Sequence, residues 1–183
     1  ENGSGWDFSA ETGHKDYTAA VVGTAAGVLV GVLTGYYSYN TGYSFVSDLC
    51  SNVWSDSTGY FFASRDKLTR LDPELKTIWY AELPRKKASK SDIFVADSLV
   101  YVLNKGYAFK EGKMVFFGQP FFAAFQLNNG EQVFMNDLSD KKEAITDYLT
   151  GDEMVICLWK DKISGYSMHD GFLNVECTLD PKV

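Results

Sequence analysis

Short runs in which apolar and polar residues alternate recur along the chain, separated by turns rich in Asn, Asp and Gly. Such alternation predicts half-buried β-strands, and a Gly or Asn between two runs predicts an antiparallel hairpin, because it accepts a positive φ. The clearest hairpin copy is 124–134, which reads AFQLNNGEQVF. Related copies lie at 7–17, 39–45, 71–79 and 166–172. The pattern therefore predicts an all-β chain.

Two further strand-like runs precede each of the last three hairpins. These runs are 50–54 and 60–63, 92–96 and 99–103, and 144–149 and 154–159. Units of four antiparallel strands that span roughly 40 residues are typical of β-propeller blades. We predict that 1–183 is a single β-propeller segment. In this division 1–17 ends a preceding blade, and the successive blades are 18–48, 49–84, 85–138 and 139–183.

The first unit begins midway, whereas the last unit contains all four strand-like runs. A closed ring would use the early segment to complete its last blade, and here that blade is already complete. We therefore expect about four blades of a larger propeller, of roughly seven or eight blades. The alternative is another all-β architecture, a sandwich or an open meander, because turn-bounded strands do not by themselves select a propeller.

The hairpin copies resemble the repeat of the quinoprotein-like β-propellers, a family named for pyrroloquinoline-quinone enzymes. The repeat of that family ends in Ala-x-Asp-x-x-Thr-Gly-Lys-x-x-Trp. Here Ala124, Gly130 and Phe134 occupy the Ala, Gly and Trp places. Gln126 stands in the Asp place and Asn129 in the Thr place.

Two other copies carry parts of the same motif. Gly13 and Tyr17 match it near the start of the chain, and Leu71-Asp72 followed by Trp79 matches it with one residue missing. The resemblance implies a propeller in which the terminal aromatic residue docks between neighbouring blades. It covers most of the chain and concerns the fold rather than an activity.

An uncharged run occupies 18–35, with glycine at every fourth position from Gly23 to Gly35. On a helix these glycines would form one smooth face, as in packed transmembrane helices. The Val and Thr residues of the run favour strands instead, and each Gly weakens a helix by about 1 kcal/mol relative to Ala. We interpret the run as buried strands and predict no membrane span. A membrane protein with a helix at 18–35 is the alternative.

The chain is acidic, with a net charge of −7 from 17 Lys and Arg against 24 Asp and Glu. Nucleic acids and anionic membranes are bound by positively charged surfaces, so we expect neither as a partner. The one basic cluster, at 85–90, follows Pro84 between two predicted strands. We interpret it as a solvated loop.

The three cysteines, Cys50, Cys157 and Cys177, contain no CxxC motif and no adjacent pair. Cys157 and Cys177 fall on the second and fourth strands of one predicted blade, about 9–10 Å apart. That separation exceeds the reach of a disulfide, so we predict free thiols. The quinone enzymes of the resembling family use a disulfide between neighbouring cysteines and a calcium site. Because neighbouring cysteines are missing here, we expect no quinone, and we predict no cofactor and no metal site.

Candidate catalytic groups are few. The two histidines, His14 and His169, lie in or beside predicted turns, where a solvated side chain is the ordinary outcome. The sequence contains no HExxH motif, no phosphate-binding glycine loop, no GxSxG motif and no EF-hand loop. Carboxylates at strand ends, such as Asp72 and Asp170, are expected to cap backbone groups. We therefore predict no catalytic residue.

The unit at 85–138 is longer than a typical blade by roughly a dozen residues, which lie between Asn104 and Pro120. Loops on rigid scaffolds often carry binding residues. We predict a binding surface for a peptide or a sugar ring at Lys105, Tyr107, Phe109, Lys110 and Lys113. We interpret Phe116, Phe117, Phe121 and Phe122 differently, as core residues of an extra hairpin.

These observations lead to the hypothesis of a non-catalytic β-propeller scaffold that recognises a protein or carbohydrate ligand through its blade loops. The alternative is an enzyme, for example a carbohydrate-active one, whose central-channel site is completed by blades outside this chain. The remaining blades or a second copy of the chain are the other expected partners. The resemblance implies an exported bacterial protein, periplasmic or at the cell surface. Some members of that superfamily are scaffolds, such as the outer-membrane assembly lipoprotein.

Overall fold

The computed structural model describes residues 51–64, 66–84, 89–110 and 113–180, and for Phe109, Lys110 and Lys113 it describes the backbone alone. The secondary structure of these residues consists of fourteen β-strands. In this described part, none of the chain forms a helix long and apolar enough to cross a membrane. The segments 1–17 and 18–48, and with them the run 18–35, lie outside the described residues.

The strands form three four-stranded antiparallel sheets and one separate hairpin. Sheet 1 contains β1 (Trp54–Asp56), β2 (Gly59–Ala63), β3 (Lys67–Leu71) and β4 (Thr77–Glu82). Sheet 2 contains β5 (Ser91–Ala96), β6 (Leu99–Asn104), β9 (Phe121–Gln126) and β10 (Gln132–Asp137), and β7 (Tyr107–Lys110) and β8 (Lys113–Phe116) form the hairpin. Sheet 3 contains β11 (Asp147–Thr150), β12 (Met154–Leu158), β13 (Lys162–Ser167) and β14 (Leu173–Thr178). The predicted all-β fold of four-stranded antiparallel units is confirmed for the described residues.

Sheet 2 lies between the other two sheets and is apolar on both faces. On β9, Phe121, Ala123 and Phe125 belong to the core shared with sheet 1. Phe122 and Ala124 belong to the core shared with sheet 3. Successive side chains of a strand point to opposite faces, so the continuous apolar run of β9 fills two cores at once.

Two strand predictions were wrong in their bounds. The run 50–54 was predicted as a strand, but β1 begins only at Trp54. Asn52 instead forms two hydrogen bonds to sheet 2 through its side-chain amide. Its Nδ2 donates to Ile93 O at 3.0 Å, and Ile93 N donates to its Oδ1 at 2.6 Å. The run 144–149 was also predicted as a strand, but β11 begins at Asp147. Ile145 is fully buried in the core between sheets 2 and 3. Its N–H donates to Lys105 O and not to a neighbouring strand of sheet 3.

The turn between the third and fourth strands has the same construction in all three sheets. It contains one residue with positive φ, Leu75 at 65°, Gly130 at 73° and Gly171 at 72°. The N–H of Gly130 donates to Gln126 O, and the N–H of Gly171 donates to Ser167 O, both at 2.9 Å. The turn of sheet 1 is one residue shorter, with Leu75 N–H donating to the carbonyl three residues back instead of four. This is the missing residue noted in the sequence.

Four positions after the positive-φ residue of each of the first two turns, an aromatic side chain docks on the turn of the next sheet. A Cβ added to Gly130 would lie 2.5 Å from Trp79 Cε3, and one added to Gly171 would lie 2.5 Å from Phe134 Cε2. Trp79 Nε1 also donates to Leu127 O at 3.2 Å, inside the same turn as Gly130. The aromatic docking between neighbouring units that the resemblance implies is therefore present at both junctions.

Candidate functional site

The lengthened connection of sheet 2 forms an extra hairpin, β7–β8, between the second and third strands of that sheet. Its register pairs Tyr107 with Phe116 and Ala108 with Val115. Backbone hydrogen bonds hold its base: Lys90 N donates to Tyr107 O at 2.9 Å, and Phe117 N donates to Gly106 O at 3.0 Å. The hairpin is thus joined to the preceding connection and does not stand alone.

A buried polar network fixes the point where the chain leaves sheet 2. Asn104 is fully buried, as are Ser89 and Ser91. Ser89 Oγ and Gly106 N both donate to Asn104 Oδ1 at 3.1 Å. Asn104 Nδ2 donates to Ser91 Oγ at 3.0 Å, and that hydroxyl donates to Ser89 O at 2.9 Å. Buried amides and hydroxyls that satisfy one another hold a single arrangement, so this network orients the hairpin.

Gly106 is the residue at which the chain turns into the hairpin. Its φ is 74°. A Cβ at this position would lie 2.7 Å from Pro120 Cγ and 2.9 Å from Glu143 O. Both the left-handed conformation and the close approach of Pro120 and the backbone require glycine here.

Lys105, a predicted binding residue, is engaged inside the protein. Its side chain is 12% exposed and forms an ion pair with Asp92, and its Nζ lies 5.2 Å from the centre of the Tyr148 ring. Burial raises the pKa of the Tyr148 hydroxyl to about 12, and the Asp92 carboxylate adds to the shift. Lys105 therefore joins sheet 2 to sheet 3 beneath the hairpin.

The outward face of the hairpin is apolar. Met114 is 49% exposed and Phe116 is 54% exposed. They lie two residues apart on β8, so they share one face of the strand. Ala108 and Val115 occupy the other face, where Ala108 is fully buried. The interpretation of four core phenylalanines holds for Phe121 and Phe122, which are fully buried, but was wrong for Phe116, whose position on the outward face leaves its ring in solvent.

The structure places the other predicted binding residues on the hairpin itself. Tyr107 is partly buried and pairs with Phe116. Phe109 is the register partner of Met114, and Lys110 and Lys113 are partners at the tip. Met114 was not among the candidates predicted from the sequence. The alternation in Lys113-Met-Val-Phe116 was the available signal, because it places Met114 and Phe116 on one face.

A cleft of about 530 Å³ lies between β10 and the last two strands of sheet 3. Two of its acidic residues lie beside the same lysine. Lys162 Nζ lies 3.0 Å from Glu176 Oε2 and 3.9 Å from Glu143 Oε1. Ser164 Oγ also donates to Glu176 at 3.0 Å, and the Lys162 ammonium is the main cause of a lowered pKa at Glu176. The Lys162–Glu176 pair and the Ser164 hydrogen bond therefore join β13 and β14 within sheet 3, on the wall of the cleft.

The histidine and cysteine side chains in the described residues do not form a common site. His169 is exposed in the β13–β14 turn, and the neighbouring Asp170 accepts from Phe172 N–H at 3.1 Å, which lowers its carboxyl pKa. Cys157 on β12 and Cys177 on β14 are free thiols, on the second and fourth strands as predicted. Burial raises the pKa of the Cys157 thiol to about 12. Across the described residues, His, Cys, Asp and Glu side chains form no cluster of three or more that could hold a metal.

The sequence matches no protein-family model and no curated protein. Among solved structures, the quinohemoprotein alcohol dehydrogenase ADHIIG from Pseudomonas putida HK5 is similar over 73% of this chain and 21% of its own, with 13% identity and a TM-score of 0.51. The fold is that of β-propeller blades. BamB from Moraxella catarrhalis is similar over 76% of this chain and 38% of its own, with 16% identity and a TM-score of 0.48. The chain spans well under half the length of either structure.

Proposed function

We propose that the protein is a non-catalytic β-propeller scaffold that binds a protein partner through the outward face of the β7–β8 hairpin. The single observation that carries the proposal is the exposure of Met114 and Phe116, side by side on a hairpin fixed to the sheets. Aromatic and Met side chains are enriched at protein interfaces, and a surface already ordered before binding loses little entropy on association.

The anchoring of the hairpin supports binding rather than free motion. The buried Asn104 network and the Lys105–Asp92 ion pair hold its base. The tip sequence at 110–113 reads KEGK and carries a net charge of +1, in a chain whose net charge is −7. We expect this positive charge to favour a partner with an acidic rim around an apolar centre.

The test is site-specific photo-crosslinking, followed by measurement of affinity. A photoreactive phenylalanine at position 116 is expected to crosslink one defined protein, and the same group at position 78 is expected not to. Ile78 is a matched control because its side chain on β4 is 47% exposed. Crosslinking of the same proteins from both positions would contradict the proposal.

With the purified partner, the double substitution Met114→Ser with Phe116→Ser should weaken binding by about tenfold or more, since each removes a contact residue. Because both side chains are exposed, the melting temperature should stay close to that of the parent. Ile78→Ser should leave the affinity unchanged. An affinity equal to that of the parent in the double variant would overturn the assignment.

We further propose export to the periplasm or cell surface of a bacterium, which the quinoprotein-like resemblance supports. Cell fractionation of the natural producer tests it directly. The protein should be recovered with periplasmic or surface markers, and recovery with cytoplasmic markers alone would contradict the proposal.

A further inference from the structure

The three sheets carry equivalent cross-strand rows of residues. In each sheet one residue from every strand lies in register, and the member on the fourth strand follows the positive-φ turn residue by four positions. The rows are Trp54–Phe61–Arg70–Trp79 in sheet 1, Phe94–Tyr101–Ala124–Phe134 in sheet 2, and Leu149–Ile156–Gly165–Val175 in sheet 3. We call these rows 1, 2 and 3.

Rows 1 and 2 each pack against the next sheet. Their fourth-strand aromatics are nearly buried, Trp79 at 9% exposure and Phe134 at 8%. Each row also donates a hydrogen bond into the turn that it covers. Arg70 NH1 reaches Leu127 O at 2.7 Å, and Tyr101 Oη reaches Met168 O at 3.2 Å. The rows therefore form the interfaces between consecutive sheets.

Row 3 is apolar, and its two outer residues are exposed while Ile156 is partly buried. Leu149 is 70% exposed and Val175 is 52% exposed. A Cβ at Gly165 would lie 2.7 Å from Val175 Cγ1 and 3.1 Å from Ile156 Cδ1, so these residues are in contact across the face. Leu158 and Ile163, which pair with each other on the same face, are 38% and 36% exposed. A contiguous exposed apolar patch of this kind marks an interaction surface.

We infer that row 3 docks a further four-stranded sheet of the same ring, which presents the turn between its third and fourth strands to Val175. The inference rests on continuity, since the same register position is covered by such a turn in both preceding interfaces. It concerns a surface on sheet 3 and is independent of the hairpin proposal.

A second copy of this chain fits row 3 less well. In both existing interfaces, a row packs against the next sheet on the face that does not carry that sheet's own row. Among the described sheets, only sheet 1 has such a face without another described sheet packed on it. On that face Leu71 is 2% exposed and Thr69 is 8% exposed, whereas Ile78 on β4 is 47% exposed, so the face is already covered over its third strand. A second copy would therefore meet a face that is partly occupied.

Cys177 offers a direct test, because it follows Val175 by two positions on β14 and pairs with Ile163 on the row 3 face. The experiment measures maleimide labelling of the folded full-length natural protein with Cys50→Ser, and Cys157 remains unreactive because it is buried. Docking of a further sheet predicts labelling at Cys177 on the order of 100-fold slower than for an exposed thiol. The protection should not change on dilution, and light scattering should give the mass of one copy.

The matched control moves the thiol by one residue to the opposite face, with Cys177→Ser and Thr178→Cys. Position 178 is exposed, so its thiol should label rapidly. Fast labelling at Cys177 itself in a single-copy protein would overturn the inference, because nothing would cover the face. Protection that disappears on dilution, with the mass of two copies, would overturn it in favour of a dimer.

Discussion

Single turn residues decide how one sheet meets the next. Leu75, Gly130 and Gly171 hold equivalent positive-φ positions, and the latter two lie directly under an aromatic ring of the preceding sheet. Leu75 shows that an L-residue is tolerated where no ring of the described sheets lies above the turn, at the cost of strain. The glycine requirement at the other two positions therefore has two causes, the backbone conformation and the space taken by the ring.

Gly171→Ala is expected to lower the free energy of unfolding by about 1–3 kcal/mol, because its Cβ meets Phe134 in a strained conformation. Gly151→Ala is the matched control. Gly151 has no positive φ, and its added Cβ would meet only Met154 O at 3.4 Å. Urea denaturation of both variants checks the prediction. An equal, small effect at the two glycines would contradict it.

Asn104→Ala is expected to cost about 1–3 kcal/mol, because it leaves Ser89, Ser91 and Gly106 N–H without their buried partner. The exposed turn residue Asn128 provides the control, and Asn128→Ala should be close to neutral. Proteolysis should also cut the hairpin faster in Asn104→Ala than in the parent. Equal cleavage rates would show that the network does not orient the hairpin.

At the scale of elements, local pattern predicted most strands and turns, because their periodicity reflects burial on one or two faces. The bounds failed where side chains replace backbone pairing, as at Asn52, which bonds to Ile93 across sheets. The candidate site was predicted in part. The extra hairpin follows from an insertion in a repeat, but the burial of Lys105 depends on Asp92 and Tyr148, which come together only after folding.

Because the hairpin lies outside the sheets, replacing 107–116 with a short Gly-Asn-Gly linker should leave the three sheets folded. The far-ultraviolet circular dichroism spectrum should remain that of a β protein, with a lower melting temperature because buried Ala108 is lost. Binding to a partner captured through position 116 should disappear. Loss of all cooperative unfolding would show instead that the hairpin is part of the core.

At the scale of the whole molecule, two buried groups and one partly buried group link stability to alkaline pH. Burial raises the pKa values of Cys157, Tyr148 and Tyr166 to about 12. A raised pKa means that the folded state holds its proton more tightly than the unfolded state. The contribution of each group to the free energy of unfolding is therefore complete below its unfolded pKa and is lost as pH rises through its folded pKa. Stability should therefore fall between about pH 9, the ordinary thiol value, and about pH 12.

Urea denaturation at fixed ionic strength and increasing pH measures this loss. In Cys157→Ala the decline should begin nearer pH 10, where an unfolded tyrosine ionises. The two proteins are compared by the slope of the free energy of unfolding against pH, so a loss of stability that is the same at every pH does not affect the result. A stability that stays flat up to pH 12 would contradict the burial of these groups.

The most direct test of the account is a double-mutant cycle between Trp79 and Gly130, which measures whether sheet 1 docks on the turn of sheet 2 as propeller blades do. Trp79→Ala should cost about 3–5 kcal/mol. Gly130→Ala should cost much less in that variant than in the parent, since the ring that its Cβ would strike is gone. The account predicts a coupling free energy of about 1 kcal/mol or more. Additive effects, within about 0.5 kcal/mol, would contradict the docking of successive sheets.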